Sequence, residues 1–265
     1  MPDFVHLHVH TEYSLLDGEC LVSELPAAVK SLGQSACAVT DHGVLYGAAE
    51  FYKACRKQGV KPIIGCEVYV APRRMEDKVH PVDSEPYHLV LLAKNAEGYK
   101  NLVKIVSESF IKGFYRKPRT DMPTLEKLHG GIIALSACIS GVLAKRILKD
   151  ARAEAEETAA VFKRIFGKDF YIELQRNGVP EQQKVNAVLV NIAKKLDIPL
   201  VCTNDVHYIK REDAETQELL MAVSTGGVLG DNRSPCLQTN FICAVPTRWR
   251  AFSPIFRRRL KTPLK

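Results

Sequence analysis

Residues 36–70 read ACAVTDHGVLYGAAEFYKACRKQGVKPIIGCEVYV, and the fold turns on how this stretch is parsed. It opens with a short β-rich run, "ACAVTDHG" at 36–43, and closes with another, "PIIGCEVYVA" at 62–71. Between them "YGAAEFYKACRKQG" has a helical pattern ending at Gly59, the residue type expected just past a helix. The rhythm continues outward. "FVHLHVHT" (4–11) precedes it, and "YHLVLLAKN" (87–95), "GIIALSAC" (131–138), "DFYIELQ" (169–175) and "PLVCTNDVHY" (199–208) follow, making seven strands. Helical patterns at 21–33, 97–110, 144–167 and 181–197 separate them, whereas 71–86 and 112–124 read as loops. Regular strand-helix alternation argues an α/β fold with a parallel sheet, open or closed into a barrel.

Composition narrows the function less than it first suggests. The chain has 265 residues, 46% of them apolar, which is enough for one large domain with a real core. Its formal net charge is +7, but residues 241–265 carry seven Lys/Arg and no acid, leaving thirty residues of each sign before them. The body is therefore neutral, and its charge gives no argument for nucleic acid. The eight cysteines include no C-x-x-C pair, and no signal-like leader precedes the strand at Phe4. Cys20, Cys37, Cys55, Cys66 and Cys202 are expected to be reduced, buried thiols of a cytoplasmic protein. No apolar run approaches the roughly 20 residues needed to span a bilayer, so no membrane partner is expected.

Metal-binding residue types gather at strand ends. His8 and His10 end the first strand, Asp41 and His42 the second, Glu67 lies late in the third, Cys138 closes the fifth, and Asp205 and His207 close the seventh. Strict alternation would place His6, His8 and His10 on one face of the first strand, with Val5, Leu7 and Val9 on the other. In a parallel barrel the carboxyl ends share one mouth, where such residues converge. Asp17 follows in the first loop. His88 is awkward, because it opens its strand. Taken singly, each residue has an ordinary reading as a polar strand face, a turn or a buried thiol. Taken together, five of eight histidines fall near strand ends, while His80 and His129 read as surface residues. Imidazole, carboxylate and thiolate donors suit Zn²⁺, with Mn²⁺ or Fe²⁺ as alternatives. The set exceeds what one tetrahedral ion uses, so two or three ions sharing a carboxylate, a geometry suited to phosphate-ester hydrolysis, are expected.

Together "HLHVHTEYSLLDG", the stretch from Thr40 to Val70, "YHLVLLAKNAEGYKNL", "LSACISGVL" and "TNDVHY" resemble the PHP (polymerase and histidinol phosphatase) domain that opens bacterial replicative DNA polymerase III alpha subunits. The likeness runs from residue 4 to about 240. It implies a distorted (β/α)7 barrel and a nine-ligand centre of His8, His10, Asp17, His42, Glu67, His88, Cys138, Asp205 and His207. His6 would lie behind the ligands and orient one of them. Within this family a complete ligand set implies metal-dependent 3′→5′ exonuclease activity on a DNA 3′ end, in a replicase with other subunits. The alternatives are a non-catalytic module bracing a polymerase and a free-standing small-molecule phosphatase. The polymerase palm would lie outside these residues. The likeness ends after Thr239, so 1–240 is expected to form the PHP domain and 241–265 an out-of-frame tail without stable structure.

Overall fold

The computed structural model describes residues 4–228; the expectation for 241–265 lies outside them. In chain order the elements are α1 (Leu25–Ser31), β1 (Ala36–Val39), α2 (Ala48–Gln58), β2 (Lys61–Val70), β3 (Tyr87–Ala93), α3 (Ala96–Ile111), β4 (Arg119–Thr120) and α4 (Met122–Leu128). Then come β5 (Ile132–Leu135), α5 (Val142–Leu148), α6 (Arg152–Phe166), β6 (Phe170–Gln175), α7 (Pro180–Lys195), β7 (Leu200–Thr203) and α8 (Ala214–Thr225). Their sheet order is β1-β2-β3-β5-β6-β7, with β4 beside β2.

The all-parallel expectation fails at one strand. β3 runs antiparallel to both β2 and β5, while the β1/β2, β5/β6 and β6/β7 pairs are parallel. The link between β2 and β3 is the loop 71–86, which contains no crossover helix, so the chain returns in the opposite direction. The start of β3 thereby reaches the rim where the other strands end.

The first expected strand is a set of single-residue bridges instead of a ladder. His6 bridges Cys37 within β1, and Val9 bridges Val206 beyond β7, so residues 6–10 join the two edges of the curled sheet into a distorted barrel. Thr40 Oγ1 accepts the Val9 N–H at 2.8 Å, a side chain standing where a ladder carbonyl would bond. Alternation breaks here too: Leu7 packs in the barrel interior with Ala36, Ala38, Val90 and Leu135, whereas Val9 lies outside with Val22, Leu25 and Phe51, under α1 and α2. Leu7 and Val9 therefore do not share a face.

On the regular strands alternation holds. Val90 and Leu92 of β3 fill the interior, while Leu89 and Leu91 face the helices, packed with Leu102, Phe162, Phe170 and Ile192. Full burial of each such side chain contributes roughly 1.5–3 kcal/mol.

Local signals set the helix ends. Asn95 accepts the Gly98 N–H at the start of α3, and Gly59 closes α2 with φ +70. The helix expected over 144–167 is two, α5 and α6, because Asp150 takes a left-handed conformation (φ +58) between them. Within 112–124, expected to be loop, stand β4 and the start of α4. Asp121 caps that helix by accepting the Thr124 N–H at 3.0 Å, and Pro123 follows in its first turn.

Candidate metal centre

Glu67 lies near the end of β2, and its inward side chain is 1% exposed. Its neighbours come from three directions. The parallel segment after β1 supplies His42, whose Nδ1 is 2.8 Å from Glu67 Oε2. Antiparallel β3 supplies His88, with Nδ1 3.1 Å from the same oxygen. The irregular N-terminal segment supplies His8, with Nε2 3.3 Å from Oε1, and His10, with Nε2 3.6 Å from Oε2. The reversed direction of β3 is the physical reason that His88, at its strand's beginning, meets residues at the ends of others.

The remaining expected residues join this core. Asp205 Oδ1 is 3.1 Å from His8 Nε2 and 3.3 Å from His10 Nε2. Asp17 Oδ2 is 2.7 Å from His42 Nε2 and 3.6 Å from His207 Nε2. Cys138 Sγ lies 3.7 Å from both Glu67 Oε1 and His88 Nδ1. All nine side chains expected at the site therefore meet. Outside it, His80 and His129 are exposed, and Cys20, Cys37, Cys55, Cys66 and Cys202 are free and buried.

Behind the core is a layer that sequence reasoning missed. His8 Nδ1 donates to Glu173 Oε1 at 2.7 Å, and that oxygen also accepts from Gln175 Nε2 at 3.0 Å and from the Thr203 hydroxyl. His10 Nδ1 donates to Ser14 Oγ at 3.0 Å, whose hydroxyl donates to Asp41 Oδ1 at 2.7 Å. His207 Nδ1 donates to the Asp205 carbonyl at 2.8 Å. Each bond fixes a tautomer that leaves Nε2 facing the core. Glu173 thus orients His8; the His6 ring, for which an orienting role is expected, is buried and stands edge-on to Phe4. Asp41 anchors the turn through Thr11 and Ser14.

Whether these residues fit a cation can be read from their unmatched atoms. Glu67 Oε2, His42 Nδ1 and Asp205 Oδ1 are buried without a hydrogen bond of ordinary geometry, although each has a polar atom close by. Converging lone pairs with no aligned proton between them are unusual in a folded interior and suit a positive ion. Three groups of donors, His8/His10/Glu67, His42/Glu67/His88 and His10/His42/His207, each lie close enough together to hold a metal ion. The set fits.

Protonation follows the same crowding. Burial disfavours a charged His42, but the Asp17 and Glu67 carboxylates beside it outweigh this and raise it to about 10. His10, with burial and the charges of His42 and His207 against it, is pushed down to about 3. Burial, together with the Glu67 and Asp205 carboxylates, drives the Cys138 thiol well above its ordinary range.

This fold and this constellation place the chain in a defined class. Residues 6–177 match the PHP domain, and the chain belongs to that family. It is similar to the DNA polymerase III subunit alpha of Borreliella burgdorferi, at 44% identity over 89% of this chain and 21% of the relative. The subunit of the same name from Thermus aquaticus is 43% identical over 95% of this chain and 21% of the relative. The chain thus spans about a fifth of the length of these curated relatives. A solved structure described as a metal-dependent phosphoesterase from Bifidobacterium adolescentis superposes with a TM-score of 0.50 at 16% identity, covering 78% of this chain and 88% of that one, a likeness of fold. No helix among the described residues is long and apolar enough to cross a membrane.

Proposed function

We propose that the chain is the PHP domain of a replicative polymerase subunit, working in the cytoplasm as a metal-dependent phosphoesterase that removes nucleotides from DNA 3′ ends. The observation that carries this reading is the Glu67 carboxylate, buried within 3.6 Å of donor nitrogens from four histidines, with Asp17, Asp205 and Cys138 next to them. His8, His10, Asp17, His42, Glu67, His88, Cys138, Asp205 and His207 would hold two or three ions, Zn²⁺ foremost, with Mn²⁺ or Fe²⁺ as substitutes. Such ions supply Lewis-acid polarisation of a phosphoryl oxygen and lower the pKa of water to about 7. Glu67, placed between the donor groups, would be the carboxylate that they share. Glu173 and Ser14 keep His8 and His10 in the required tautomers. His42 and His88, 17% and 18% exposed, mark the side from which a phosphate reaches the centre. The 3′ end would come from the DNA handled by the rest of the polymerase and its replisome partners.

The test pairs metal content with turnover. Protein purified without chelator should carry metal that His8→Ala loses by one or more ions per chain, and the Zn²⁺- or Mn²⁺-loaded protein should release nucleotides from a frayed primer end. Metal retained with no nucleotide release would favour the bracing role instead. Preferential hydrolysis of a small phosphate monoester would favour a small-molecule phosphatase.

A further inference from the structure

Tyr115–Pro118 form a turn against the exposed side of the centre. Tyr115 N donates to the Lys117 carbonyl at 3.1 Å, and Arg116 between them has φ +62, a conformation a long side chain adopts only when its surroundings impose it. Those surroundings are evident on both sides. Pro118 packs on Gly43, the turn residue after His42, so closely that a Cβ there would come within 2.9 Å of Pro118 Cγ. Arg119 is wholly buried and donates to the carbonyls of Gly113, Met75, Asp77 and Asp83 at 2.8–3.0 Å, tying the turn to the loop 71–86.

This fixed turn presents Lys117. Its ammonium lies 5.5 Å from the centroid of the Tyr69 ring. That ring stacks on His42 at 6.0 Å and meets His88 edge-on at 5.2 Å. One aromatic ring therefore separates the lysine from two residues of the centre, on the side where they reach solvent. Lys117 is exposed, and among the described residues it forms no ion pair. A lysine ammonium held beside the centre, with no carboxylate of its own, is placed to pair with an anion that reaches the centre.

We propose that Lys117 is a positioning residue that holds a phosphate of a single-stranded nucleic acid next to the one being cleaved, with Tyr69 as its support. This rests on the phosphoesterase reading for the cleaved phosphate, but binding can be tested apart from cleavage. The probe is a fluorescein-labelled thymidylate oligonucleotide with phosphorothioate linkages, titrated against the full Zn²⁺-loaded chain from 50 to 200 mM salt. Lys117→Ala should weaken binding about fivefold to tenfold and reduce the slope of log affinity against log salt by about 0.7, the loss of one single-strand phosphate contact. Lys117→Arg should stay within about twofold of wild type. Lys57→Ala, in the last turn of α2 leading to the opposite end of β2, should leave both quantities unchanged. In turnover on an ordinary oligonucleotide, Lys117→Ala should raise KM and leave kcat within about twofold. Equal affinity and equal slope for wild type and Lys117→Ala overturn the proposal, as does failure of the wild type to bind the oligonucleotide. Binding that depends on Lys117 without hydrolysis under any metal upholds the phosphate contact and defeats the phosphoesterase reading alone.

Discussion

Glu67 divides the centre into two unlike sides. On the deep side His8 and His10 are 0% exposed, and their outer nitrogens are held by Glu173 and by the Ser14–Asp41 pair. On the shallow side His42 and His88 turn Nδ1 toward Glu67 and keep part of each ring in contact with solvent, walled by Tyr69 and, next to Gly43, by Pro118 of the 115–118 turn. The difference teaches that rigidity and access are supplied separately. The barrel interior fixes the nitrogens that need to stay in place, and loops surround those that a ligand needs to reach.

The largest effect should come from removing the group that joins the two sides. Glu67→Ala leaves four clustered imidazoles without their common carboxylate, and metal affinity should fall by more than about 100-fold, read as metal content after dialysis against a competing buffer. Breaking only the deep side is milder: Glu173→Ala should reduce affinity about 10- to 100-fold while sparing the shallow donors. Nitrogen-15 shifts of His8 would report release of its tautomer, and an unchanged His8 spectrum would remove Glu173 from the account.

The loop 71–86, which Arg119 ties to that turn, has its own response to acid. The Arg73 guanidinium, with help from the Val79 N–H, holds the Asp83 carboxylate below its ordinary value of 3.8, at about 2. A carboxylate that ionises more readily in the folded state stabilises it fully above about pH 4, and that contribution is lost as pH falls through about 2. Hydrogen-exchange protection factors in 71–86 should therefore fall over that interval, and unchanged protection would remove the Arg73–Asp83 pair from the account. The smallest expected effect is that of His129→Ala. This exposed side chain touches neither side, and thermal melting should register a change within about 0.5 kcal/mol.

Much of this division is legible in the sequence, and the unread parts have physical causes. Short apolar runs bounded by turn residues located β1, β2, β3, β5, β6 and β7, and the donors at their ends are the ones that meet. Strand direction was not legible, because a two-residue period reads the same both ways; His88 therefore looked misplaced until β3 was found reversed. β4 is two residues long, below any pattern. The cap at Asp121 followed by Pro123 was a usable sign of α4 that a loop reading passed over. Glu173 sat within "DFYIELQ" as one polar residue of a strand, 165 positions from the His8 that it holds. Its signal was subtle: a carboxylate between Ile172 and Leu174, in a strand covered on both faces, requires a buried partner.

The bridge made by residues 6–10 also has a consequence for synthesis. The segment emerges from the ribosome ahead of β1 to β7, yet it bonds to Val206 and surrounds its imidazoles with Asp205 and Glu173, which follow some 165 residues or more later. At roughly 5–20 residues per second, the nascent chain carries its earliest histidines unassembled for about 10–40 seconds. Until the last stave arrives, those side chains lack their carboxylate partners, so on the metal-centre reading any selection among metals would be deferred to the moment the ring is sealed.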